Sequence, residues 1–252
     1  MIEIYEMQVK PRALEINERE EIKATAIIDY LQQIAFEHAF NLGLSFQQTF
    51  KKNLTWYLLR YYIEIYDYPK LSDLLTVRTW PVKSESEKYS LRDFQILDQM
   101  GKVVCNATTS WILYNFIKRK PVNFMDHFKD IPRKEERAIN YNFPNLPLPE
   151  KIDSKVELVV RRSDLDLNRH VNNRVYFEWT LETISKKQLE KYKINKIEIS
   201  YKGQAVHMDT VLVETELNKT AKNNDEIIAI SKISKMKSGE LLTKVKSYWI
   251  KK

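Results

Sequence analysis

Glycine is scarce in this sequence, with four among 252 residues, and the scarcity excludes several functions. There is no G-x-G-x-x-G, no G-x-x-x-x-G-K-[ST] and no G-x-S-x-G, so dinucleotide folds, P-loops and the nucleophile elbow all lack their turn residues. A single cysteine, Cys105, excludes an internal disulfide and any zinc site built on several thiolates. No apolar run approaches the ~20 residues that a membrane-spanning helix needs. The first residues, Met1-Ile-Glu-Ile-Tyr-Glu6, carry acids where a secretory signal carries bases and then a greasy run, so the chain is expected in the cytoplasm.

What is present is the composition of a soluble globular protein, 43% hydrophobic and 30% charged, long enough for one large domain or two small ones. Lys and Arg number 41 against 34 Asp and Glu, a formal +7. That balance favours encounter with an acidic partner: nucleic acid, an anionic membrane surface, or an acidic protein or cofactor. The bases are spread along the chain, with local knots at Lys118-Arg119-Lys120, Arg161-Arg162 and Lys186-Lys187. Such dispersion does not match a nucleic-acid footprint.

Five of the eight prolines (Pro121, Pro132, Pro144, Pro147 and Pro149) fall in one stretch. Its centre, Asn142 to Glu150, reads as an extended connector, because proline suits neither a helix interior nor a central strand. The flanking segments resemble each other. Ile63-Glu-Ile65, Asp73-Leu-Leu-Thr-Val77, Gly101 and Trp111 recur in order as Ile197-Glu-Ile199, Asp209-Thr-Val-Leu-Val213, Gly239 and Trp249. Two short insertions bring them into register. Three ordered matches suggest duplication rather than two unrelated α+β domains.

Each half opens with a helix. Ile27, Ile28, Leu31, Ile34, Ala35, Ala39 and Leu42 have helical spacing, and Gly43 stands where a C-terminal glycine belongs. In the second half, the run from Asn173 through Tyr192 carries Val175, Phe177, Leu181 and Ile184, uninterrupted by proline or glycine. Alternating stretches then read as strands, with Gly101 and Gly239 as hairpin turns. The expected class is α+β: two tandem hot-dog units, each a long helix on a curved antiparallel sheet. Their expected bounds are 1–120 and 153–252, with a Pro-rich linker at 121–152.

A dense polar island precedes the second helix: Arg161-Arg-Ser-Asp164-Leu-Asp166-Leu-Asn168-Arg-His170-Val-Asn172-Asn173. Ser163, Asp164, Asp166 and Asn168 are side chains that bond nearby backbone and hold irregular turns. Asn172 or Asn173 can cap the helix. Asp166, Asn168 and His170 occupy alternate positions, so in an extended segment all three project to one side. A carboxylate, a carboxamide and an imidazole beside a helix N-terminus are what hydrolysis of a carbonyl compound needs. A lone histidine here is more often structural, so the weight rests on the set. Calcium is disfavoured, since the loop lacks an EF-hand's sixth-position glycine and twelfth-position Glu, where Val175 stands. His38, His127 and His207 share no ligand spacing with His170, so neither a metal nor a cofactor is expected.

The string Asp164-Leu-Asp166-Leu-Asn168-Arg-His170-Val-Asn172-Asn173, followed by Tyr176, Trp179 and Glu182, closely resembles the signature of acyl-acyl-carrier-protein thioesterases of the bacterial and plant type. Trp56 with Arg60, Tyr68-Pro69, Thr79-Trp80, Arg92 and the Gly101 to Trp111 hairpin extend the resemblance along nearly the whole chain. It implies a tandem hot-dog fold and release of free fatty acid from acyl carrier protein, as a step of fatty acid biosynthesis. It also implies catalytic roles for Asp166, Asn168 and His170. The family's acidic residue on the strand after the second helix is here Gln204, in Tyr201-Lys-Gly-Gln204. Its amide can hold or polarise a water but cannot take its proton.

These residues support direct attack of water on the thioester carbonyl. His170, oriented by Asp166, is the favoured proton acceptor, because histidine ordinarily titrates near 6.5; Asp166 is the alternative base. Asn168 would hold the carbonyl or the water, and a covalent route through an Asp166 anhydride stays open. A thiol leaves with little acid assistance, its pKa being only ~8.5. The expected partner is acidic acyl carrier protein with its phosphopantetheine-linked acyl chain, met by Arg161, Arg162, Arg169 and Arg174. Nucleic acid and a membrane span are not expected, and the assembly is a monomer or homodimer. The acyl slot is expected in the first half, along Trp56 to Ile63. A coenzyme A thioesterase and a non-catalytic acyl-binding protein remain alternatives.

Overall fold

The structure is a computed structural model, and it describes residues 4–84, 86, 88–219 and 226–252. The chain divides into two units, Met1–Asn142 and Phe143–Lys252.

The first unit runs β1 (Tyr5–Val9), a 3-10 turn at Ala13–Glu15, α1 (Ala24–Asn41), α2 (Phe46–Phe50), β2 (Leu54–Ile65), β3 (Leu75–Val82), β4 (Ser90–Leu97), β5 (Val103–Asn115), β6 (Lys120–Val122) and α3 (Met125–Phe128). All its strand pairs are antiparallel, giving the order β1-β3-β4-β5-β2, and β6 pairs with the end of β5 beyond Trp111. The expected helix is α1, and Ile27, Ile28, Leu31 and Ile34 are buried. Removing each such side chain from water stabilises the unit by about 1.5–3 kcal/mol. The helix stops as its sequence indicates. Gly43 adopts φ +74, the Gly43 N–H donates to the Phe40 carbonyl (3.2 Å), and Leu44 N–H donates to Ala39 (2.8 Å). That pair of bonds is a Schellman cap.

The second unit repeats the plan: β7 (Ser154–Val159), a 3-10 turn at Arg162–Asp164, α4 (Asn173–Leu181), α5 (Lys186–Lys191), β8 (Tyr192–Tyr201), β9 (Thr210–Lys219), β10 (Glu226–Lys235) and β11 (Leu241–Lys251). Its order, β7-β9-β10-β11-β8, is that of the first unit strand for strand. Each unit is therefore a hot-dog unit. Both hairpin glycines have positive φ, +80 at Gly101 and +70 at Gly239, values at which an L side chain is strained.

Two sequence readings change. The helix expected from Asn173 through Tyr192 is broken at residues 182–185, although no proline or glycine is there. Thr180 and Thr183 turn their hydroxyls onto the carbonyls of Phe177 and Thr180, both at 2.7 Å. Ser185 then caps a new helix through a capping box with Gln188, and Tyr192 already belongs to β8.

The stretch read as a linker is also fastened to the sheets. Phe124 and Phe128 join Leu44, Leu54 and Leu113 in a core cluster of the first unit. Further on, Trp80 Nε1 donates to the Glu136 carbonyl (3.0 Å), and buried Asp93 accepts from Arg137 Nε (2.9 Å) and Ala138 N–H (2.8 Å). Asn106 Nδ2 donates to the Ala138 carbonyl (3.0 Å), and Tyr141 stacks on Tyr62 at 3.8 Å. In the second unit, Lys244 Nζ donates to the Leu146 carbonyl (2.8 Å). The stretch is therefore a strap held to the sheets at several points.

Candidate active site

The polar island forms a closed turn rather than an extended segment. Leu165 and Val171 make an antiparallel bridge. Between them Asp166 N–H donates to the His170 carbonyl (2.8 Å), and Arg169 N–H donates to the Asp166 carbonyl (3.0 Å). Arg169 takes the left-handed conformation, φ 61. Asp166 Oδ1 accepts from the backbone N–H of Asn168 (2.8 Å) and of His170 (3.4 Å). The three residues therefore lie on one closed turn rather than on alternate positions of a strand, and the Asp166 carboxylate joins the backbone N–H groups of the other two.

Asp166 orients His170 through the backbone. Among the described residues the Asp166 carboxylate makes no hydrogen bond with the imidazole, while Nδ1 of His170 is buried and has no hydrogen-bond partner. Asn168 and Gln204 are exposed, and neither side chain has a hydrogen-bond partner among the described residues. Asp164 is buried and anchors the start of the island, accepting from Arg161 N–H (2.8 Å) and Arg161 Nη2 (2.9 Å). Asn172 is the helix cap, its Oδ1 accepting from Arg174 N–H at 2.9 Å. The turn thus delivers His170 two residues ahead of the cap of α4, where free backbone N–H groups favour negative charge.

Gln204 reaches this place by a long-range contact. The Val171 N–H donates to the Ala205 carbonyl (3.0 Å), and the Ala205 N–H donates to the Tyr176 hydroxyl (2.8 Å). Ala205 is held from both directions, which sets its neighbour Gln204 beside His170-Val171. At Gly203 a Cβ would lie 2.8 Å from Glu240 Oε1, 3.1 Å from Leu242 Cδ2 and 3.3 Å from the Leu241 carbonyl, so a side chain there would need the flexible Glu240 carboxylate to move aside and its other neighbours to give slightly. Burial above all, with the charges of Asp209, Asp166 and Glu240 adding to it against the Ala205 N–H, pushes the Tyr176 phenol up to about 12. It is a neutral hydroxyl at physiological pH.

Sequence reasoning overlooked Tyr176 as a clamp and Glu240 as a carboxylate beside the Gln204 segment; the glycine at 203, outside any turn, was the available signal. It also missed that the turn exists twice. In the first unit Ile16 bridges Ile22, Asn17 N–H donates to Glu21 (2.8 Å), Glu20 N–H donates to Asn17 (3.1 Å), and Glu20 has φ 63. Asn17 Oδ1 accepts from the N–H groups of Arg19 (2.8 Å) and Glu21 (3.1 Å). Asn17, Arg19 and Glu21 stand where Asp166, Asn168 and His170 stand. The scaffold is shared, and the imidazole belongs to the second copy alone. The spacing of Arg12 with Glu15 and Arg161 with Asp164 carried that signal.

Comparison with known families decides the lineage. Residues 3–131 match the acyl-ACP thioesterase N-terminal domain, and residues 149–251 match the acyl-ACP thioesterase C-terminal domain. The chain belongs to the acyl-ACP thioesterase family. An oleoyl-acyl carrier protein thioesterase from the chloroplast of Coriandrum sativum is 30% identical over 244 residues, 88% of this chain and 63% of that one. Oleoyl-acyl carrier protein thioesterase 2 of Arabidopsis thaliana is 31% identical over 219 residues, 79% of this chain and 59% of its own length. The chain thus spans about three fifths of these relatives. Among solved structures, an acyl-ACP thioesterase from Bacteroides thetaiotaomicron superposes with TM-score 0.84 at 21% identity, covering 98% of both chains. The 12:0-ACP thioesterase from Umbellularia californica gives 0.88 at 19%, covering 99% of this chain and 94% of that one. At such identities the agreement concerns the hot-dog fold.

Proposed function

We propose that this chain hydrolyses the thioester of an acyl group carried on acyl carrier protein, releasing a free fatty acid. The observation that carries the reading is the buried, unpartnered Nδ1 of His170, on a turn clamped by Asp166 at the start of α4 in a chain of this family. With Nδ1 shut off from water, Nε2 is the nitrogen that takes a proton from the water as it attacks the carbonyl. Asp166 is a positioning residue that fixes the turn. Asn168 and Gln204, with free amides, hold the carbonyl or the water. The thiolate then departs without a strong general acid.

The acidic carrier suits the exposed Arg162 and Arg169 and the mostly exposed Arg161. Arg174 suits it less, since it pairs with Glu178 at 2.6 Å. A non-catalytic acyl-binding role is the reading that Gln204 favours.

The test is release of free thiol from acyl carrier protein thioesters of several chain lengths, with matched coenzyme A thioesters. Wild type should release thiol, and His170→Ala should lose at least a hundredfold in kcat. Acyl binding without release would leave the binding module, and equal kcat/KM on both donors would remove the carrier protein from the proposal. Hydrolysis in oxygen-18 water with label entering Asp166 would replace direct attack by the anhydride route.

A further inference from the structure

The basic knot Lys118-Arg119-Lys120 takes no part in the site described above. It spans the end of the turn between β5 and β6 and the first residue of β6, Lys120, and Arg119 is left-handed at φ 51. That turn is tied to the one after α2 by a bond from the Phe116 N–H to the Asn53 carbonyl at 3.2 Å, and Asn53 is itself left-handed at φ 59. The two turns gather Lys51, Lys52, Lys118, Arg119 and Lys120 at one end of the unit, all exposed. Among the described residues none of them pairs with a carboxylate.

Between these cations stand apolar side chains facing water. Phe46 is 43% exposed, Phe50 51% and Ile117 67%. The Phe50 ring lies 5.4 Å from that of Phe46 and 4.8 Å from that of Phe116, so the rings form one continuous row. The opposite side of α2 is anchored: Thr49 is fully buried, and Ser45 caps the helix. Phe46 and Phe50, four residues apart, are held outward by that anchoring.

Exposed phenyl rings amid exposed lysines that pair with no carboxylate among the described residues, although Lys52 Nζ also lies 4.7 Å from the centre of the Phe128 ring, have the chemistry of an interfacial lipid contact. Rings enter the boundary between headgroups and acyl chains, while ammonium groups meet phosphates. Lysine is depleted at protein–protein interfaces, which disfavours a protein partner for this patch. We propose that this end of the first unit docks on anionic lipid bilayers. The inference does not depend on the catalytic reading, because lipid binding is measured without substrate.

The experiment is co-sedimentation of the full chain with vesicles of phosphatidylcholine alone and of phosphatidylcholine with phosphatidylglycerol. Binding is expected on the anionic vesicles, weakened by salt, and little on the neutral ones. The double variant Phe50→Ser, Ile117→Ser and the double variant Lys118→Glu, Lys120→Glu should each reduce partitioning about tenfold with thermal unfolding unchanged. No binding above the neutral control, or both variants bound as tightly as wild type, overturns the proposal. So does a result in which vesicle binding is intact but the variants raise KM for carrier-protein thioesters, since the surface would then dock the carrier.

Discussion

Acidification should weaken the first unit through His38, and the size of the effect follows from its surroundings. His38 is buried on α1, its ring stacked on Tyr5 at 5.2 Å and 6°, with Nδ1 3.0 Å from Arg92 Nη1. A guanidinium can only donate, so Nδ1 accepts, and the ring is the neutral tautomer protonated at Nε2. Burial first, then the charge of Arg92, lowers the imidazole to about 3. The unfolded chain carries an ordinary imidazole near 6.5. Below that pH the unfolded state binds a proton that the folded state refuses, so stability is present above about 6.5 and falls as pH drops toward 3. At pH 5 the gap of about 1.5 units corresponds to about 2 kcal/mol. Urea unfolding of wild type and His38→Gln at pH 7 and pH 5 measures it, because Gln can accept from Arg92 without titrating and other groups cancel. Wild type should lose about 2 kcal/mol more than the variant across that interval. Equal losses in the two proteins would refute the reasoning.

At Asp166, the twin turn in the first unit separates shape from charge. Asn17 already makes the same bonds there, so Asp166→Asn should leave urea stability within about 0.5 kcal/mol, whereas Asp166→Ala costs about 1 kcal/mol. Thiol release by the Asn variant, expected to fall about tenfold or more, then reports the lost charge. Asp93→Ala removes a fully buried carboxylate from Arg137 and the strap, and should cost about 3–5 kcal/mol in denaturant unfolding. Gln204→Glu supplies a proton acceptor beside His170-Val171, and kcat on carrier-protein thioesters should rise several-fold if activation of water limits the rate. An unchanged kcat would place the base function wholly on His170.

Signals that act over a few residues were legible in advance. Gly43 ends α1, Gly101 and Gly239 make hairpins, and Asn172 caps α4, because each is a local backbone requirement that one residue type meets cheaply. The repeat of Ile63 to Trp111 as Ile197 to Trp249 was legible for the same reason, and the two sheets follow it strand for strand. The helix break before Ser185 was written in its S-x-x-Q capping box but hidden by the absence of proline and glycine.

The candidate residues were legible in the sequence, since an Asp, an Asn and a His at that spacing need no partner to be noticed. Their geometry was not. Whether Asp166 faces the imidazole or the backbone depends on whether the segment closes, and closure rests on the bridge of Leu165 to Val171 and the grip of Val171 on Ala205. Tertiary structure alone also decided that Asp93 and Lys244 fasten the strap and that burial, then the charge of Arg92, keeps His38 neutral. These contacts join residues far apart in the chain, so no local pattern in the sequence announces them.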